Sequence, residues 1–108
     1  LEISKLNKND MLFIFSVGGG NLEKNISPNI VKSIDFAVKK DAKICGIIGK
    51  DGGYTLKNSE NVILIPTLDE GLITPICESM QAVIWHLIVS HPDIKVNQTK
   101  WENSDGVK

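Results

Sequence analysis

The chain reads as an α/β protein built on a parallel sheet, and three observations predict this. Its short apolar runs are unbroken blocks rather than alternations, the mark of strands covered on both faces. The first two blocks are joined by a stretch of helical periodicity, as a parallel crossover requires. Each block is ended by a glycine- or proline-bearing turn.

Met11-Leu12-Phe13-Ile14-Phe15 is the first block, following the polar turn Asn7-Lys8-Asn9-Asp10, and it reads as a central parallel strand. Pro28 to Lys40 places Ile30, Ile34, Ala37 and Val38 on one helical stripe, with Lys32, Asp35 and Lys39 elsewhere, so a crossover helix is predicted there. Ile44 to Ile48 makes the second strand, closed by Gly49-Lys50-Asp51-Gly52-Gly53, and Val62 to Ile65 makes the third before Pro66 stops it. All three strands are expected to be covered on both faces. Between the second and third, residues 54 to 60 have room for one or two helical turns. Thr74 and Pro75 then suit an N-cap and first turn, and Ile76 to Val89 is a helix apolar almost all round, hence predicted to be buried between the sheet and another subunit. His91-Pro92 ends it, and 93–108 is a polar tail with Trp101 as its large apolar anchor.

With 108 residues, 42% of them hydrophobic, the chain suits one domain. The net charge is −1 and the twelve basic residues are all lysines, scattered along the sequence, so there is no basic stripe and nucleic acid is not an expected partner. The lack of arginine has a second consequence. An anion must be held by backbone N–H groups, hydroxyls or lysine, because no guanidinium fork is present. Cys45 and Cys77 sit in apolar surroundings without CxxC spacing and read as reduced core thiols, which points to the cytoplasm. No stretch reads as long enough to span a bilayer and no leader pattern opens the chain, so no membrane partner is expected. Because the sequence starts at Leu1 shortly before its first strand, it is expected to be part of a longer protein.

The segment from Ser16 to Asn29 carries the strongest chemical signal. Gly18, Gly19 and Gly20 let the backbone bring N–H groups close to a ligand, Ser16 and Ser27 add hydroxyls, and the following helix points its positive end at an anion. A phosphorylated small molecule fits such a loop. A flexible turn capped by Ser27, with Pro28 as first helical residue, fits it equally and needs no ligand. In the last helix, His86 taken alone is a core histidine, Glu78 a first-turn acid favoured by the helix dipole, Gln81 a polar break, and His91 a cap-like residue.

Four segments together, Phe15-Ser16-Val17-Gly18-Gly19-Gly20, Ser27-Pro28-Asn29-Ile30-Val31, Gly49-Lys50-Asp51-Gly52-Gly53 and Gln81-Ala82-Val83-Ile84-Trp85-His86, resemble the sugar isomerase (SIS) domain in its phosphoheptose isomerase branch. The resemblance extends from Asp10 to about Glu102. It implies a three-layer α/β/α sandwich with a five-stranded parallel sheet in order 2-1-3-4-5, of which this chain supplies the last three strands and lacks the N-terminal half. It implies an isomerase that converts sedoheptulose 7-phosphate to a manno-heptose 7-phosphate, with Ser16, Gly18, Gly19, Gly20 and Ser27 on the phosphate and His86 and Glu78 as catalytic residues. Zinc is the implied cofactor, with Glu78 and His86 as ligands beside a His/Glu pair from an earlier helix that this chain does not contain. Val17 and Gly18 stand where the family has hydroxyls, and Glu78 where it has glutamine. A non-catalytic phosphosugar-binding module is the alternative that these departures leave open. The strand edge that the missing first strands would leave open, and the all-round apolar helix Ile76 to Val89, lead to an expected homodimer or homotetramer.

Overall fold

The computed structural model describes residues 1–97; the expected anchor Trp101 and most of the polar tail lie outside them. Strand β1 is Met11–Ser16, helix α1 Pro28–Lys39, β2 Lys43–Ile48, the short helix α2 Gly53–Lys57, and β3 Asn61–Leu64. A 3₁₀ turn, Glu70–Leu72, then runs directly into α3, Ile73–Ser90. The three strands form one parallel sheet in the order β1-β2-β3, with Met11 opposite Lys43 and Cys45 opposite Asn61. The predicted α/β class and parallel sheet are therefore present, with each predicted strand within a residue of its place.

Alternation along the strands distributes the core onto two faces. Ile14, Ile44 and Ile48 meet Ile34 and Ala37 of α1, together with Leu6 from the N-terminal turns. On the other face Ile47, Ile65 and Cys77 of α3 come together, flanked by Phe13, Val17, Ile84 and Ile88. Gly46, in the middle of β2, leaves no room for a side chain, since a Cβ there would stand 2.7 Å from the Ile14 carbonyl oxygen.

Several expectations are corrected. Ser27 does not cap α1 with its side chain: it sits at φ 50°, in the left-handed region, and its carbonyl oxygen accepts from the N–H groups of Ile30 and Val31. The cause lies just upstream, where Asn21 and Ile26 exchange two backbone hydrogen bonds and fold 21–26 into a small hairpin that delivers the chain to the helix from an unusual direction. Nor does α3 start at Thr74. Asp69 caps the preceding 3₁₀ turn by accepting from the Gly71 N–H at 2.7 Å, and the helix continues from there, with Pro75 in its first turn, where no N–H partner is required.

Coverage by neighbouring elements is also less than predicted. Ile63 and Leu64 of β3 are exposed, because β3 is an edge strand. In α3 only Cys77 and Gln81 are buried, and Met80, Val83, Trp85 and Leu87 face outward. Because the 3₁₀ turn joins it end to end, Glu70–Ser90 forms 21 continuous residues with hydropathy 1.4 over their most apolar window, so by length and composition a stretch able to cross a bilayer does exist. In this fold its stripe of Cys77, Gln81, Ile84 and Ile88 lies against the sheet.

Candidate functional site at the C-terminal ends of the strands

Parallel α/β sheets place their ligand-binding loops beyond the carboxyl ends of the strands, and here the loops after β1 and β2 are interlocked. Ser16 Oγ accepts from the Gly19 N–H at 3.0 Å, and among the described residues its own O–H has no acceptor. Gly19 and Gly20 lie at φ +73° and +82°. Their carbonyls turn toward α2: Gly19 O accepts from both the N–H and the Oγ1 of the fully buried Thr55, and Gly20 O from the Tyr54 N–H at 2.9 Å. A Cβ on Gly19 would fall 2.1 Å from the Gly52 carbonyl oxygen. These glycines are required by a close backbone crossing.

Gly18 is different. Its Cα faces open space, with nothing within 4 Å of a built Cβ. Among the described residues the N–H groups of Gly18 and Gly20 have no acceptor. Gly20 in turn packs on the side chains of Ile30 and Val31, which brings the first turn of α1, and Ser27 before it, beside the triple glycine. Ser16, Gly18, Gly19, Gly20 and Ser27 thus share one end of the sheet. A shallow cleft of about 320 Å³ opens next to them between the 21–26 hairpin and α2, lined by Gly20, Asn21, Asp51, Tyr54 and Lys57 among others.

The loops are held from below by α3. Gln81, buried, donates through Nε2 to the carbonyl oxygens of Ser16 (3.2 Å) and Ile47 (2.7 Å), tying the ends of β1 and β2 to the helix. One turn earlier Cys77 fills the space at Gly49, where a Cβ would meet its Sγ at 2.8 Å. Burial pushes the Cys77 thiol up from its ordinary value, and the neighbouring Glu78 carboxylate adds to the effect. The Tyr54 hydroxyl donates to Asp35 Oδ1 at 2.7 Å, and that bond raises its pKa.

The two remaining site residues are placed apart from the loop. Taking about 100° per residue, Glu78 lies about 90° from the sheet-facing stripe of α3 and His86 nearly opposite to it. Both are exposed. Glu78 is next to Cys77 and therefore level with the glycine loops, whereas His86 is further along α3, past Gln81. Among the described residues no three His, Cys, Asp or Glu side chains gather in a cluster suited to a metal. One carboxylate and one imidazole are chemically suitable for zinc, but they are two donors of the three or four that it takes.

Residues that the sequence did not single out are Tyr54 and Thr55 of α2, which hold the glycine turn through the carbonyls of Gly20 and Gly19. Gln81 was noted only as a polar break. A lone amide on the buried stripe of an apolar helix has to find partners, and that requirement was a usable signal.

No protein-family model matches the chain. Over 81 residues, 74% of its length, it is 32% identical to the lincomycin biosynthesis protein LmbN of Streptomyces lincolnensis. The match spans 30% of that protein, so the chain corresponds to less than a third of the curated relative.

Proposed function

We propose that the chain is the C-terminal part of an SIS-type phosphosugar isomerase, with sheet order 2-1-3-4-5 in the whole domain, converting sedoheptulose 7-phosphate to a manno-heptose 7-phosphate. The observation that carries this reading is the loop after β1, where the Ser16 hydroxyl and the N–H groups of Gly18 and Gly20, without acceptors among the described residues, meet at the carboxyl end of a parallel sheet. Such a constellation suits a phosphate monoester in a chain without arginine.

Aldose–ketose isomerisation moves a proton between adjacent carbons through an enediol(ate), which needs a base near C1 and C2 and a group that stabilises the oxyanion. In this reading the glycine loop holds the phosphate, Glu78 stands at the same level and serves as polar support or metal ligand, and His86 serves either in proton transfer or as a metal ligand. Since His86 projects away from its own sheet, it serves a neighbouring subunit of a homodimer or homotetramer. Zinc, when bound, would supply electrophilic stabilisation of the oxyanion, held by Glu78 and His86 with ligands from outside the described residues. A cytoplasmic location belongs to the same reading.

The second reading, a non-catalytic phosphosugar-binding module, is favoured by the separation of His86 from the loop. Calorimetry with sedoheptulose 7-phosphate and a turnover assay on the intact protein separate the two. Ser16→Ala should weaken binding by about 1–2 kcal/mol, and unchanged affinity would remove the loop from the site. His86→Gln should lower turnover about 100-fold with binding retained. Binding without turnover in the unaltered protein would establish the module instead.

A further inference from the structure

The fold gathers charges that the sequence scatters. At the end of the sheet opposite the glycine loops, where the Lys43 N–H bonds to the Asp10 carbonyl, the N-terminal turns lie beside the last turn of α1 and enclose an open cleft of about 800 Å³. Lys5 and Lys8 line one side, Lys39 and Lys40 the other, with Leu6 and Phe36 between them. The carboxylates along the cleft are Glu2 and Asp41, so it holds an excess of two positive charges in a chain whose net charge is −1.

Both walls are fixed in place. Leu6 is buried in the α1-side core, and Asn7 and Asp10 lock the turn that carries Lys8 through three side-chain hydrogen bonds. On the facing wall the Phe36, Ala37 and Val38 carbonyls near the end of α1 accept from the N–H groups of Lys40, Asp41 and Ala42. The same turn brings the Lys39 and Lys40 ammonium groups to the cleft, and Lys40 Nζ lies 5.5 Å from the centre of the Phe36 ring. Among the described residues none of the four lysines lies within 4.0 Å of a carboxylate. Unpaired like charges around a concave surface repel one another and attract a compact counter-charge.

We propose that this cleft binds a small organic polyphosphate, a molecule with clustered phosphates beside an apolar or aromatic moiety, as in a nucleoside triphosphate. The volume lies within the range of small-molecule sites. Two pairs of lysines on facing walls suit several phosphates held close together, and the partly exposed Phe36 ring beside them suits the uncharged part. The patch is bounded and concave rather than a stripe, which favours a small ligand over an extended polymer. This site is independent of the glycine loops, which lie at the other end of the strands.

The test is calorimetry on the full chain with ATP and with inorganic tripolyphosphate, at two salt concentrations, alongside amide chemical shifts. ATP should bind with a salt-sensitive affinity and more tightly than tripolyphosphate, shifting the amides of Leu6, Phe36 and Asp41. The double variant Lys5→Gln/Lys39→Gln should lose at least tenfold in affinity, and Lys24→Gln/Lys57→Gln, the same charge change at the other end, less than twofold. These lysines are exposed, so both variants should keep the unaltered melting temperature. The proposal is overturned if ATP fails to bind at millimolar concentration, if the two double variants lose affinity equally, if the shifts fall on Gly18 to Gly20, or if an oligoglutamate binds more tightly than ATP.

Discussion

Gly18 and Gly19 are adjacent and chemically identical, yet the structure gives them opposite tolerances. Gly19→Ala would push a Cβ to 2.1 Å from the Gly52 carbonyl oxygen at a φ of +73°, and is expected to cost about 2–5 kcal/mol of stability. Gly18→Ala meets nothing within 4 Å and should change stability by less than about 0.5 kcal/mol, while placing a methyl group where the phosphate is proposed to sit. Urea titration of the two variants checks the contrast. Similar midpoints for both would mean that the loops do not cross as described. The cysteines give a second prediction at this scale. Burial raises the thiol pKa of both Cys45 and Cys77 above the ordinary 9.0. A group held protonated in the fold favours the folded state below its ordinary pKa, and that contribution is lost as pH rises from there through the raised value. Both thiols should therefore resist alkylation at neutral pH until the protein is unfolded, and stability should fall as pH climbs beyond about 9. Rapid labelling of either thiol in the native protein would contradict this.

Among the elements, α3 is where sequence and structure part most clearly. Its composition predicts a helix covered all round, and the fold covers only the stripe through Cys77, Gln81, Ile84 and Ile88. Gln81 is the decisive residue of that stripe, because one amide serves two strand-end carbonyls. Gln81→Leu preserves the volume and removes both bonds, leaving the Ile47 oxygen without this partner, and should cost about 1–3 kcal/mol. Thermal unfolding of the variant reads this directly, and an unchanged midpoint would mean that the amide is not engaged. The strands were legible because unbroken apolar blocks ended by glycine or proline have few other readings. The glycine loop was legible as a turn for the same reason, since three successive glycines have no use inside a helix or strand. Thr55 and Gln81 were not, because their roles depend on backbone carbonyls 36 and 34 residues away, and single-sequence periodicity carries no information at that distance. The left-handed Ser27 escaped for a related reason: Ser-Pro is a common helix start, and only the Asn21–Ile26 bridge decides otherwise.

Among the described residues the sheet has two open edges, β1 and β3, and α3 has an exposed apolar face. Within the described residues β1 pairs only with β2, so its other edge presents free backbone groups. Phe15 on that strand meets Trp85 of α3 edge-on at 6.1 Å, extending the apolar border onto the helix. Open edges and apolar helix faces favour association. The chain should form a homodimer or homotetramer at micromolar concentration, and Leu87→Glu, on an outward and largely exposed position of α3, should shift it toward monomer with little loss of helical signal. Light scattering checks both. A stable, well-behaved monomer of the unaltered chain would oppose the association and, with it, the proposal that His86 acts in a neighbouring subunit.

The crossing of the loops after β1 and β2 has a kinetic consequence. Opening the glycine turn would break the bonds from Thr55 and Tyr54 to Gly19 and Gly20 together, so this turn does not behave as a gate. If the proposed phosphate ester binds there, it meets a loop already held by these bonds, with little ordering left to oppose capture. Its rate of association should then follow diffusion and electrostatic steering, and rise in direct proportion to ligand concentration without a plateau. Stopped-flow traces that saturate would mean that the two loops separate before they bind.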